Sequence, residues 1–251
     1  MEINVTIILL IIFLSIVQSI AGVGVLLLGT PIIMFMNYSI IDAISVLLPL
    51  SILTSFYNLI IFKLNSTKVN HSNNIKLIFF LLCIPGVIIG TLLLKNIQNN
   101  INIEIVLSVV IAASIITKIR FENNLKKYLS NNVKKIALVV IGAIHGFTNM
   151  GGTLLTLFIS TINRGAKELS RYQITYFYFY LALMQFLFFI IIFKHRPQIN
   201  LVLFACVTIG IILGNILIKY TDQKKFNFVI YLLSIINVIY LSVRGFSKII
   251  V

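Results

Sequence analysis

Acidic side chains are nearly missing from this sequence: six Asp and Glu stand against twenty Lys and Arg, and charged residues of every kind make up only 10% of it. A water-facing domain of 251 residues that is 59% hydrophobic could not cover its own exterior. So little charge therefore excludes a soluble fold, and lipid must be the solvent for most of the outside. Cysteine is also scarce. Cys83 and Cys206 both fall inside apolar runs, where a thiol behaves as a small hydrophobe, and two such residues make neither a disulfide framework nor a metal site. Catalytic signatures are missing as well: no HExxH, GxSxG, CxxC or P-loop spacing occurs. Neither an enzyme, a cofactor nor a metal is expected.

What is present is apolar sequence cut by basic punctuation. The net charge of +14 would suggest nucleic acid in a soluble protein. Here the basic residues lie between apolar runs and mark topology and anionic headgroups instead, so no nucleic-acid partner is expected. Six stretches are long enough to span a bilayer: Ile40 to Phe62, Ile75 to Leu94, Ile101 to Thr117, Tyr172 to Phe193, Leu201 to Ile218 and Phe226 to Val243. The fold class is all-α, a polytopic integral membrane helix bundle in a single domain, placed in the cytoplasmic membrane. Met1-Glu2-Ile3-Asn4 carries no Lys or Arg and leads into the first apolar run without an obvious cleavage site, so that run is expected to be retained.

Two further stretches are interrupted. Val5 to Met36 is broken by Ala21-Gly22-Val23-Gly24, and Ile136 to Ile162 by Asn149-Met150-Gly151-Gly152. Mid-helix glycine costs about 1 kcal/mol relative to alanine, and the short apolar arms that remain suit re-entrant segments. The halves also resemble each other. Aligning Gln18 with His145 brings Gly24 onto Gly151, Leu27 onto Leu154, Leu28 onto Leu155 and Asn58 onto Gln185. Further along, Gly86, Gly90 and Lys95 match Gly210, Gly214 and Lys219. We read an internal duplication: repeat one over 1–118, a basic cytoplasmic linker over 119–135, and repeat two over 136–251.

Loop charge chooses between two topologies, because Lys and Arg accumulate on the cytoplasmic side. If each broken stretch crosses once, Lys95, Arg164, Lys167, Arg171, Lys219, Lys224 and Lys225 lie opposite the linker. If each dips in and returns, only Lys95, Lys194, Arg196, Arg244 and Lys248 do, leaving fifteen with the linker. The second arrangement follows the charge rule better and makes the repeats inverted, as in many transporters.

A broken helix in a membrane exposes N-terminal amides that have no intrahelical partner, and the helix dipole favours an anion there. Gly22 and Gly24 open one such half-helix. Asn149, Gly151, Gly152 and Thr153 open the other. Polar residues recur on one face of the span that follows the second break, Arg171, Thr175, Tyr178 and Gln185, and Ser51, Ser55 and Asn58 answer them in the first half. The candidate substrate-binding residues are therefore Gly22, Gly24, Asn58, Asn149, Gly151, Gly152, Thr153, Arg171, Thr175 and Gln185, with Gln18 and His145 as a proton relay or substrate contact. Arg171 also reads as a cytoplasmic anchor, and His145 as a histidine hydrogen-bonded in place. The expected partners are a small anion and the lipid bilayer, with a homo-oligomer left open.

The stretch from Gln18 to Gly24 followed by Pro31 resembles the opening motif of the TauE/SafE family of membrane transporters. The stretch from His145 to Gly152 resembles that family's second-half copy, and Arg171 stands where its second half often carries an arginine. Val23 and Val25 replace an aromatic residue and a glycine frequent in the first motif, and Phe158 replaces a frequent proline. The resemblance implies export or uptake of sulfite, sulfonates and related sulfur-containing anions.

Overall fold

The computed structural model describes residues 4–36, 38–64, 73–97, 130–163, 166–194, 197, 200–250 and scattered positions between 105 and 119. The described residues form helices: α1 Val5–Ala21, α2 Val25–Phe35, α3 Ile40–Leu64, α4 Asn73–Ile97, α5 Asn131–Thr148, α6 Gly152–Ile162, α7 Lys167–Phe193, α8 Leu201–Leu217 and α9 Gln223–Ile250. Five of them are long and apolar enough to cross a membrane: α3, α4, α7, α8 continued to Tyr220 by a short 3-10 turn, and α9. The span expected over Ile101 to Thr117 lies largely outside the described residues. Those that are described there, among them Ile105, Ser108 and Ile111, are helical. The linker expected over 119–135 lies mostly outside them too. Its last residues form the first turn of α5, because the Ser130 side chain accepts the Val133 N–H and caps a helix beginning at Asn131.

Both interrupted stretches break where the glycines stand. Gly22 ends α1 in the left-handed region at φ 84°, its N–H donating to Gln18 O. Asn149 ends α5 at φ 66°, its N–H donating to His145 O. Glycine and asparagine are the residues that adopt this conformation at least cost. After each break the chain packs back on the helix it has just left. A Cβ on Gly24 would lie 2.6 Å from Gln18 N and 3.0 Å from Leu14 O. One on Gly151 would lie 2.5 Å from His145 Cβ and 2.7 Å from Ile141 O.

Contacts fix the helix directions. Gly29 of α2 lies against both Leu14 and Leu47, while Gln18 bonds to Ser51 and Ser55, and Ser19 to Asn58, so α3 runs the same way as α1. The chain must therefore double back between them, and that return is α2. Likewise Lys134 and Leu138 share a cavity wall with Gln173 and Phe177, and His145 stacks edge-on against Tyr178, so α7 runs with α5. Phe56 meets Phe179 and Phe62 meets Tyr172, so α7 runs against α3. It follows that α5 runs against α1.

The GxxxG pairs make the closest helix contacts. Gly86 and Gly90 of α4 face Val139 and Ala143 of α5, and a Cβ on Gly86 would lie 2.5 Å from Val139 O. Gly210 and Gly214 of α8 face Ile12, Ser15, Ile16 and Ser19 of α1, where a Cβ on Gly210 would lie 2.7 Å from Ile12 O. Without side chains in the way, backbones approach and dispersion contacts replace lipid, the usual source of helix association in a bilayer. Each pair thus grips the broken helix of the opposite half. Leu9, Phe13, Ile191, Ile212 and Ile239 point outward, more than half exposed, as a lipid-facing surface requires.

Candidate functional site

The two breaks meet in the interior. Gly152, opening α6, faces Val23 and the Tyr178 ring, and a Cβ there would lie 2.8 Å from Tyr178 Cε2. Gly22 faces Ile174 and the Thr175 hydroxyl. Asn149 Nδ2 donates to Thr30 Oγ1 across the halves at 2.8 Å. The polar residues expected on α7 do share a buried face: Arg171, Thr175, Tyr178 and Gln185 are at most 5% exposed. Gln18, Asn58, His145, Asn149 and Thr153 are at most 1% exposed, so each is sealed away from the surface.

In the first half the buried polar groups around the break satisfy one another, Ser15 Oγ excepted. Gln18 Nε2 donates to Ser51 O and Ser55 Oγ, each at 2.9 Å, and Gln18 Oε1 accepts the Val25 N–H at 2.9 Å. One side chain thus caps the first amide of α2 and ties the break to α3. Asn58 Nδ2 donates to Ser19 Oγ at 3.1 Å, and Asn58 Oδ1 accepts from Asn215 Nδ2 at 2.7 Å. Arg171 completes this group: Nε donates to Ser19 O at 2.8 Å, Nη2 to Asn215 Oδ1 at 2.7 Å, and the guanidinium lies 4.5 Å from the centre of the Phe62 ring. Ser19 O is one of the carbonyls a helix C-terminus leaves unpaired, so the cation neutralises the negative end of α1. The guanidinium expected to face an anion directly is committed, through Nε and Nη2, to the protein's own oxygens.

In the second half they do not. His145 Nδ1 and Nε2, Asn149 Oδ1, Thr153 Oγ1, Tyr178 Oη and Gln185 Oε1 are buried without a hydrogen-bond partner in the protein. The expectation that His145 would be hydrogen-bonded in place fails: its ring packs on Tyr178, centroids 5.7 Å apart. The Tyr178 hydroxyl faces Ser51 and the backbone of Leu26 and Leu27 without closing a well-formed bond. Those residues lie in the first turn of α2, whose amides have no intrahelical acceptor. Gln185 reaches Gly146 O only at 3.5 Å. Partnerless buried polar atoms are rare in folded proteins; apart from Ser15 Oγ, Gln223 Oε1 and Asn237 Oδ1, those among the described residues lie at the second break and on α7 packed against it.

A family model, Sulfite exporter TauE/SafE, matches residues 7–241. The chain belongs to the TauE/SafE family. No curated protein and no solved structure matches it. The match makes this TauE/SafE chain a multi-pass membrane protein of a transporter family, in agreement with its five long apolar helices. Two members of its buried polar network went unnoticed in the sequence. Asn215 directly follows Gly214 and Thr30 directly precedes Pro31, each a lone polar residue in an apolar run. Asparagine and lysine are frequent enough throughout this chain that only the contacts separate Asn215 from the rest.

Proposed function

We propose that this protein is a secondary transporter for a small anion, a sulfur-containing oxyanion or organosulfonate, working by alternating access between two inverted halves. The observation that carries the reading is the meeting of two half-helix N-termini with buried, partnerless donors around them. Apart from the Val25 N–H, held by Gln18 Oε1, and the Thr153 N–H, held by Met150 O, the first-turn amides of α2 and α6 are donors without intrahelical acceptors, and Thr153 and Tyr178 offer hydroxyls beside them. Such a set suits an oxyanion, which only accepts hydrogen bonds and is drawn to the positive end of a helix dipole. The asymmetry of the site fits a mobile load: Gln18 holds its half together, whereas His145, its repeat counterpart, is left to contact substrate or carry a proton.

Inverted halves are supported by direction and by equivalent contacts. On the register that aligns Gln18 with His145, α1 answers α5 and α3 answers α7, and each pair runs antiparallel. Asn58 bonds to Ser19 while Gln185 reaches towards Gly146, the residue on which Ser19 falls. Rocking of one half against the other about such a junction would expose it to each side in turn.

Flux of labelled sulfite, thiosulfate and an alkanesulfonate into proteoliposomes tests the reading. We expect a sulfur anion to cross, and His145→Gln to slow it at least tenfold with unchanged protein in the membrane. Flux of an unrelated solute alone would make the protein a permease of another kind. A well-folded protein moving none of them would leave a membrane scaffold or enzyme.

A further inference from the structure

A cavity of about 380 Å³ opens between α4, α5, α6 and α7, at the end of the bundle where α5 begins. Its walls are apolar, from Phe79, Leu138, Phe158, Ile159 and Phe177, but its rim carries Asn131, Lys134 and Lys135, with Gln173 beside Phe177. Among the described residues no carboxylate lies within ion-pair distance of either lysine. The volume falls in the range of about 300–1,000 Å³ common for small-molecule sites and is several times what a bare oxyanion fills.

On the duplication proposed above, Lys134, Leu138, Gln173 and Phe177 correspond to Ile7, Ile11, Val46 and Leu50. Those four are packed shut, none more than 2% exposed. Where the second half places Lys134 and Lys135, the first half has Ile7 and Ile8.

We propose that the cavity is a binding site for an organic anion, a single anionic head on a short apolar body, with the head at Lys134 and Lys135 and the body against Phe79, Phe158 and Phe177. The site rests on the duplication and transport reading for its place in the cycle, as the chamber that loads or releases substrate on the linker side. Phe177 forms its wall and Tyr178, the next residue, belongs to the junction. A bare sulfite would gain little from such walls, whereas each methylene buried adds about fourfold in affinity. The cavity thus selects among sulfur anions for those with a carbon chain.

Equilibrium binding of methane-, propane- and hexanesulfonate to the full-length protein in phosphatidylcholine nanodiscs tests this on the unaltered chain. Affinity should climb with chain length and hexan-1-ol should bind at least tenfold more weakly than hexanesulfonate. Lys134→Gln with Lys135→Gln should lower hexanesulfonate affinity about tenfold, and Ile159→Trp, which fills the space, should flatten the series. Equal binding of all three sulfonates would overturn the assignment, as would binding of the alcohol on a par with the sulfonate. Loss of hexanesulfonate binding when phosphatidylglycerol replaces a third of the lipid would mark a headgroup site instead. Sulfite flux with no chain-length dependence would end the cavity assignment alone, while chain-length-dependent binding without flux of any sulfur anion would end the transport reading alone.

Discussion

At the scale of the residue, Arg171 carries a positive charge into a buried polar network. An arginine beside broken helices suggests an anion ligand, yet here its charge closes the carbonyl end of α1 and its second arm holds Asn215. Arg171→Gln should therefore destabilise the protein in detergent by about 1.5–3 kcal/mol, the usual worth of a hydrogen bond to a charged group. Arg171→Lys should recover only part, since an ammonium cannot span both acceptors with the planar fork. A double-mutant cycle with Asn215→Ala should give a coupling above roughly 0.5 kcal/mol; additive effects would place Arg171 elsewhere in the protein's economy of contacts. Asn149 supports a second prediction. It sits at φ 66°, so Asn149→Gly should be tolerated better than Asn149→Ala by about 1–2 kcal/mol, although glycine removes the same bond to Thr30. Thermal unfolding of the two variants ranks them, and equal stability would deny that the left-handed cap matters.

At the scale of the element, the two GxxxG pairs set the distance between halves. A methyl group at Gly90 would collide with the Ala143 carbonyl, and neither backbone can yield without parting α4 from α5. Gly90→Ala should cost about 1–3 kcal/mol by overpacking, seen as a lower unfolding temperature and less protein in the membrane. Ile209→Ala, on the 49% exposed face of α8, serves as the control and should leave both unchanged. These pairs were legible as sequence because spacing alone puts both glycines on one face. Their partners were not: nothing in the order of residues says that α4 grips α5 and α8 grips α1, each across the halves.

At the scale of the whole molecule, the returns of α2 and α6 decide which loops share a side. Single cysteines at Asn131 and Asp222 should react with an impermeant maleimide from the same face of oriented vesicles, and one at Lys194 from the other. Labelling of Lys194→Cys and Asn131→Cys from one face would restore the eight-crossing alternative that loop charge already disfavoured. Composition, the near absence of acids and the long apolar runs determined that this is a helical membrane protein, because transfer of such a chain to water is too costly at any arrangement of its helices. The glycines and Asn149 determined where two of those helices break, because the backbone conformation is a local matter. Which polar residues satisfy one another and which stay unpaired was decided only when Gln18, Arg171, Asn215 and His145 were carried from distant parts of the chain into one low-dielectric interior. Pairing there depends on angles and ångströms that a linear order does not contain.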